Sequence, residues 1–153
     1  MPGYGILPPD EGTGLLTFAW AEERLITSHS YWVATSRPDG RPHVMPVWGV
    51  WLDGQLFFSS GRQSVKARNL AAMPSIAVAS ENPDEAVVVE GTASPIDATD
   101  PRFDHFNQAY LTKYDTDVAA MGEPVYVVTP RKVFAMDEGD FVGSATRWTF
   151  DGA

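Results

Sequence analysis

The chain contains no cysteine. That absence removes disulfides, thiolate zinc sites, iron–sulfur clusters and a cysteine nucleophile in one step. Basic residues are scarce too: 11 Lys and Arg stand against 20 Asp and Glu, for a net charge of -9. A general nucleic-acid binder needs a basic face to neutralise phosphates, so that class is set aside. No apolar run approaches the roughly 20 residues of a helical membrane span, and no membrane association is expected. No charged stretch followed by an apolar one opens the sequence, so no secretory signal is expected and a cytoplasmic location is the simplest reading. His29, His43 and His105 lack metal-ligand spacing, and no serine sits in a nucleophile elbow. Neither a metal centre nor a hydrolytic triad is expected.

What is present is 153 residues of ordinary apolar content, with aromatics at 12% and five tryptophans. That length fits one domain with a modest core. Residues 1–12, MPGYGILPPDEG, are rich in Pro and Gly and are expected to be irregular, followed by a single domain over 13–150 and a tail over 151–153. Leu16, Trp20, Leu25 and Ile26 recur at helical spacing and predict a first amphipathic helix ending near TSHS. The run YWVATSRPDGRPHVMPVWGVWLDGQLFFSS predicts three strands joined by two Asp-Gly turns. MPSIAVASE, EAVVVEGTASPID, PVYVVTPRKVFAMDE and RWTF add further strands, and Phe103, Phe106, Tyr110 and Tyr114 mark another helix. Many short strands with two or three helices predict a mainly β protein built as a small antiparallel barrel.

Two stretches carry chemistry. In HVMPVWGVWLD (His43–Asp53), alternation puts Val44, Pro46, Trp48 and Val50 on one face and Met45, Val47, Gly49 and Trp51 on the other. Both faces are apolar, as in a strand covered on both sides. Pro46 removes a ladder hydrogen bond and Gly49 offers nothing to pack. Together they fit either a bulge at a barrel corner or a place where a flat group approaches the backbone. In SSGRQSVKARNL (Ser59–Leu70), Ser64 is placed to cap a helix from Val65 to Ala72, with Lys66 in its first turn. A lysine there opposes the positive end of the helix, which a bound anion such as a phosphate would neutralise. A plain serine cap with solvated cations is the other reading.

The order of these pieces resembles the pyridoxamine-phosphate-oxidase-like, FMN-binding split-barrel superfamily over residues 16–150. The run Lys66-Ala67-Arg68-Asn69-Leu70 and the Met73-Pro74 after it look most like its coenzyme F-420-dependent branch. The resemblance implies an antiparallel split β-barrel with a few flanking helices. It also implies a homodimer, with the cofactor wedged between subunits. It assigns the ring to the backbone of His43, Met45, Pro46, Val47 and Trp48, and the ribityl chain and phosphate to Ser59, Ser60, Ser64 and Lys66, with Arg68 and Asn69 beside them. Trp148 is the C-terminal aromatic that would reach across to the partner. The implied activity is hydride transfer between reduced coenzyme F-420, or FMN, and a small organic substrate, with no side chain named as catalytic. Pyridoxamine phosphate oxidation itself is not expected, because the tail offers only Arg147 where such oxidases are arginine-rich. The alternative is a non-catalytic protein holding a flavin, haem or other planar ligand.

Overall fold

The computed structural model describes residues 4–6, 10–11 and 14–151. The expectation of an irregular segment over 1–12 falls largely outside the described residues, as does most of the 151–153 tail. Eight strands form one antiparallel sheet: β1 (Tyr31–Ser36), β2 (Pro42–Val47), β3 (Gly49–Leu52), β4 (Gln55–Ser59), β5 (Ser75–Ser80), β6 (Glu85–Ile96), β7 (Val125–Asp137) and β8 (Thr146–Thr149). Their spatial order is β2-β1-β5-β6-β7-β4-β3, with β8 added on β7. The two ends of that order, β2 and β3, are separated in sequence by Trp48 alone. One residue can join opposite ends only if the sheet curls back on itself, and the result is a split barrel.

Inward-facing Val33, Val47, Trp51, Leu56, Phe58, Val78, Val89 and Val128 fill the barrel. α1 (Phe18–Thr27) supplies Ala21 and Leu25 to the same core, and Thr17 caps it by accepting from the Trp20 N–H. A second core lies outside β3, β4 and the first half of β7, where α3 (Phe103–Tyr114) packs Phe106 and Tyr110 against Val50, Phe57 and Val127. α2 (Val65–Ala72) follows β4, and α4 (Val118–Met121) and α5 (Phe141–Ser144) are single turns.

The sequence reading needs two corrections. It expected three strands between Tyr31 and Ser60 where there are four, because His43–Asp53 breaks at Trp48. It also expected that stretch to be covered on both faces. Alternation holds, with Val47 and Trp51 in the barrel core and Val50 in the second core, but only β3 is covered on both sides. β2 is an edge strand whose Val44, Met45 and Pro46 are exposed. An edge is where proline is tolerated, so Pro46 needs no bulge.

Candidate functional site

β4 leaves the barrel at Ser59, and the chain is pinned there before it turns. Ser59 Oγ donates to the Pro124 carbonyl at 3.0 Å, and the Ser60 N–H donates to the same oxygen at 3.3 Å. The Ser64 N–H closes a turn on Gly61 O at 2.9 Å, and Ser64 Oγ then accepts from the Ala67 N–H at 3.1 Å. Ser64 is therefore the N-cap of α2, as its position predicts, and its hydroxyl lies 3.0 Å from that of Ser60. The first turn of α2 holds no acidic residue, so nothing offsets the partial positive charge of its free N–H groups.

Ala67, Asn69 and Leu70 bury the inner face of α2. Asn69 Nδ2 donates to Thr35 Oγ1 at 3.0 Å, a buried bond that ties the helix to β1. Thr35 pairs in register with His43 of β2, so the same contact holds the middle of α2 one strand away from the edge. Lys66 is half-buried, and burial lowers its pKa. His43 is held below its usual value, first by loss of solvent and then by the positive charges of Arg37 and Lys66. Arg37, His43 and Lys66 thus converge on one patch of an acidic protein. Among the described residues no carboxylate lies within ion-pair distance of Lys66, and His43 Nδ1 is buried without a hydrogen-bond partner. An unpaired cation, an orphaned ring nitrogen and an uncompensated helix start are the features an oxyanion would satisfy.

The structure sets His43, Met45 and Val47 on the inward side of β2, opposite Thr35, Val33 and Tyr31, and Val44 and Pro46 on the outer side. Ser64 caps α2, Lys66 lies in its first turn and Asn69 reaches the inward Thr35 of β1, while Ser60 lies in the loop before the helix with its hydroxyl beside that of Ser64. Arg68 is exposed and leaves the opposite side of the helix from the buried Ala67–Leu70 face. Arg62 is engaged elsewhere, its N–H on Glu123 Oε2 at 2.8 Å and its guanidinium on Gly122 O at 3.3 Å. Trp148 lies on β8, edge-on to Phe18 at 5.4 Å, and is not gathered with the others within one chain.

Sequence reasoning missed the device that fixes β2. Trp48 stacks on Tyr114 at 4.5 Å with the rings 3° from parallel. The Tyr114 hydroxyl accepts from the Gly49 N–H at 2.9 Å and lies 2.6 Å from His29 O. Lys113 Nζ donates to Ser28 O at 2.6 Å, Gly49 O at 2.9 Å and Tyr31 Oη at 3.1 Å. A Cβ on Gly49 would meet Phe57 O at 2.9 Å and the Tyr31 ring at 3.3 Å, so Gly49 belongs to a packed barrel wall. Its absent side chain was a visible signal, and so was the helix bearing Tyr114, but the contact between them was not.

Residues 19–137 match the family described as Pyridoxamine 5'-phosphate oxidase. No curated protein matches. Among solved structures, a conserved hypothetical protein from Mycobacterium tuberculosis is similar at a TM-score of 0.69 and 22% identity, over 80% of this chain and 86% of that one. An F-420 reductase is similar at 0.58 and 27% identity, over 73% and 94%. The heme storage protein HutZ from Vibrio cholerae is similar at 0.64 and 15% identity, over 77% and 90%.

Proposed function

From the premise that this chain belongs to the pyridoxamine 5'-phosphate oxidase family, we propose that it is a flavin- or deazaflavin-dependent oxidoreductase that prefers coenzyme F-420 to FMN. The observation that carries the reading is the half-buried Lys66 at the capped start of α2, which has no ion-pair partner among the described residues and is near enough to His43 to lower its pKa. Those groups fit a phosphate, with Ser59, Ser60 and Ser64 as hydroxyl partners and Asn69 holding the helix in place. The backbone of His43, Met45, Pro46, Val47 and Trp48 lies alongside as the surface for a ring. Such a cofactor supplies hydride chemistry when bound, and the protein orients it, excludes water and neutralises its charge. No side chain of the groove is placed as a general acid or base. The 27% identity to an F-420 reductase supports the cofactor preference over FMN. Pyridoxamine phosphate oxidation is not proposed, since Arg147 is exposed and is the only cation in the C-terminal segment after Lys132.

We further propose a homodimer that completes the ring site. Trp32, Val44, Met45 and Trp48 leave apolar surface exposed along β1 and β2. In a two-fold pair, Trp148 is the residue proposed to reach the partner's groove. A second reading, a non-catalytic carrier of a planar ligand, is favoured by the likeness to the heme storage protein. Titration of the purified protein with F-420, FMN and haem, followed by turnover with enones and quinones, separates the two. Tight F-420 binding with hydride transfer supports the first reading. Haem binding without turnover of either other cofactor overturns it.

A further inference from the structure

β7 does not alternate throughout. Tyr126 and Val128 point into the barrel, and so do Val133 and Ala135, so the parity changes between them. The register shows where: Gly91 of β6 pairs with Pro130, whereas its neighbour Glu90 pairs with Lys132. Arg131 is the extra residue of a β-bulge, and it leaves two consecutive side chains, Arg131 and Lys132, exposed together. In a regular strand one of them would be buried. Gly91 is the residue that permits this, because a Cβ there would lie 2.1 Å from Thr129 O. Such bulges re-aim side chains, and this one doubles the positive charge on a single face.

Arg131 and Lys132 line a cleft of about 500 Å³ with Ser36, Pro42, Ser75 and Glu90. It lies across β1, β5, β6 and β7 and reaches the start of β2, and Lys66 does not line it. Neither cation has an ion-pair partner among the described residues, although acidic residues outnumber basic ones 20 to 11. Glu90 stands on the rung beside Lys132 without reaching it.

The geometry points to a second anion site, separate from Lys66, that takes a small molecule bearing carboxylate or phosphate oxygens between Arg131 and Lys132. Ser36 and Ser75 supply hydroxyl donors, and Glu90 limits affinity by its like charge unless the ligand brings a donor to it. This site does not depend on the identity of the cofactor.

The test uses the isotopically labelled full chain, titrated with citrate and separately with inorganic phosphate at low salt, and read by amide chemical shifts. Saturable shifts at Ser36, Ser75 and Lys132 are expected, and the better of the two probes identifies the anion chemistry. Arg131→Gln and Lys132→Gln should each weaken binding about tenfold, the scale of one charge-assisted hydrogen bond. Glu90→Gln should tighten it several-fold, and Lys66→Ala should leave it unchanged. Glu90→Gln and Lys66→Ala leave the bulge untouched, so the signs stay readable if a cation variant folds poorly. Shifts confined to the α2 start, equal affinity in Glu90→Gln, or no saturable shifts with either probe would overturn the assignment.

Discussion

Lys113 and Lys66 are both half-buried, and burial lowers the pKa of both. They differ in what meets the ammonium group. Lys113 directs its protons at Ser28 O, Gly49 O and Tyr31 Oη and lies 4.9 Å from the centre of the Tyr31 ring. It joins the end of α1 to the start of β3 and has no donor left for a ligand. Lys66 has no ion-pair partner among the described residues, and the titratable group it acts on is His43. A buried cation normally requires partners, and an unpartnered one is costly. The first lysine is therefore part of the frame, and the second is the one on which the proposed anion site rests. The predictions that follow test whether these two roles separate.

The largest effect is expected on the frame. Gly49→Val puts a branched side chain against Phe57 O and the Tyr31 ring, and neither the strand nor a ring tethered by its hydroxyl to Leu25 O can yield easily. Overpacking of this kind costs about 3 kcal/mol. Urea unfolding should show that loss in the apo-protein. If stability is unchanged while cofactor binding is lost, Gly49 lies against the ligand instead, and the frame has been drawn too wide.

Next comes the exchange of roles between the lysines. Lys66→Ala should weaken cofactor binding about ten- to one-hundred-fold, the equivalent of roughly 1.5–3 kcal/mol, while apo stability moves by only a few tenths. Lys113→Met should do the reverse. It strands the Ser28 carbonyl and costs about 1–3 kcal/mol of stability, with little change in affinity per folded molecule. Calorimetric titration and denaturant unfolding on the same two variants give the four numbers, and equal losses in both columns would erase the distinction.

A smaller signature of Lys113 lies in the alkaline range. Burial holds it at about 8, against 10.5 when exposed. Between those values the unfolded chain binds the extra proton, so the wild type should gain stability from pH 8 to about 9.5, and Lys113→Met should lack that gain. Above that range Tyr31 and Tyr114, both pushed up by burial, titrate first in the unfolded chain and reverse the trend.

The helix start that holds Lys66 was legible in the sequence, and the frame lysine was not. Ser64 capping the eight-residue helix Val65–Ala72 is a local pattern, and the structure reproduces it to the residue. Lys113 sits in a helix whose aromatic spacing announced Phe106 and Tyr110 as core, yet its partners come from Ser28, Tyr31 and Gly49, up to 85 residues away. No periodicity encodes such contacts. The edge position of β2 escaped for the same reason, since Val44 and Pro46 read as apolar whether or not anything covers them. The bulge at Arg131 did leave a trace in Gly91 and Pro130, but only the pairing register reveals which residue is extra.

The smallest effect tests whether His43 belongs to the Lys66 region at all. In the free protein its pKa is depressed, first by burial and then by Arg37 and Lys66, so near pH 7 the ring is neutral. An anion bound beside Lys66 would reverse the local potential and raise that pKa. Binding would then take up a proton, and affinity should increase as pH falls through the window around and below 6.5, by less than tenfold per pH unit for one group. The free protein has the opposite sign. A base depressed by folding contributes stability above its unfolded value and loses it as pH drops, so apo stability should fall over the same window. Tighter binding to a less stable protein is a combination that general acid unfolding does not produce. His43→Gln should flatten both slopes while Lys66 still holds the anion. If the affinity slope survives in His43→Gln, the proton belongs to another group, and His43 would be a neighbour of the site without taking part in it.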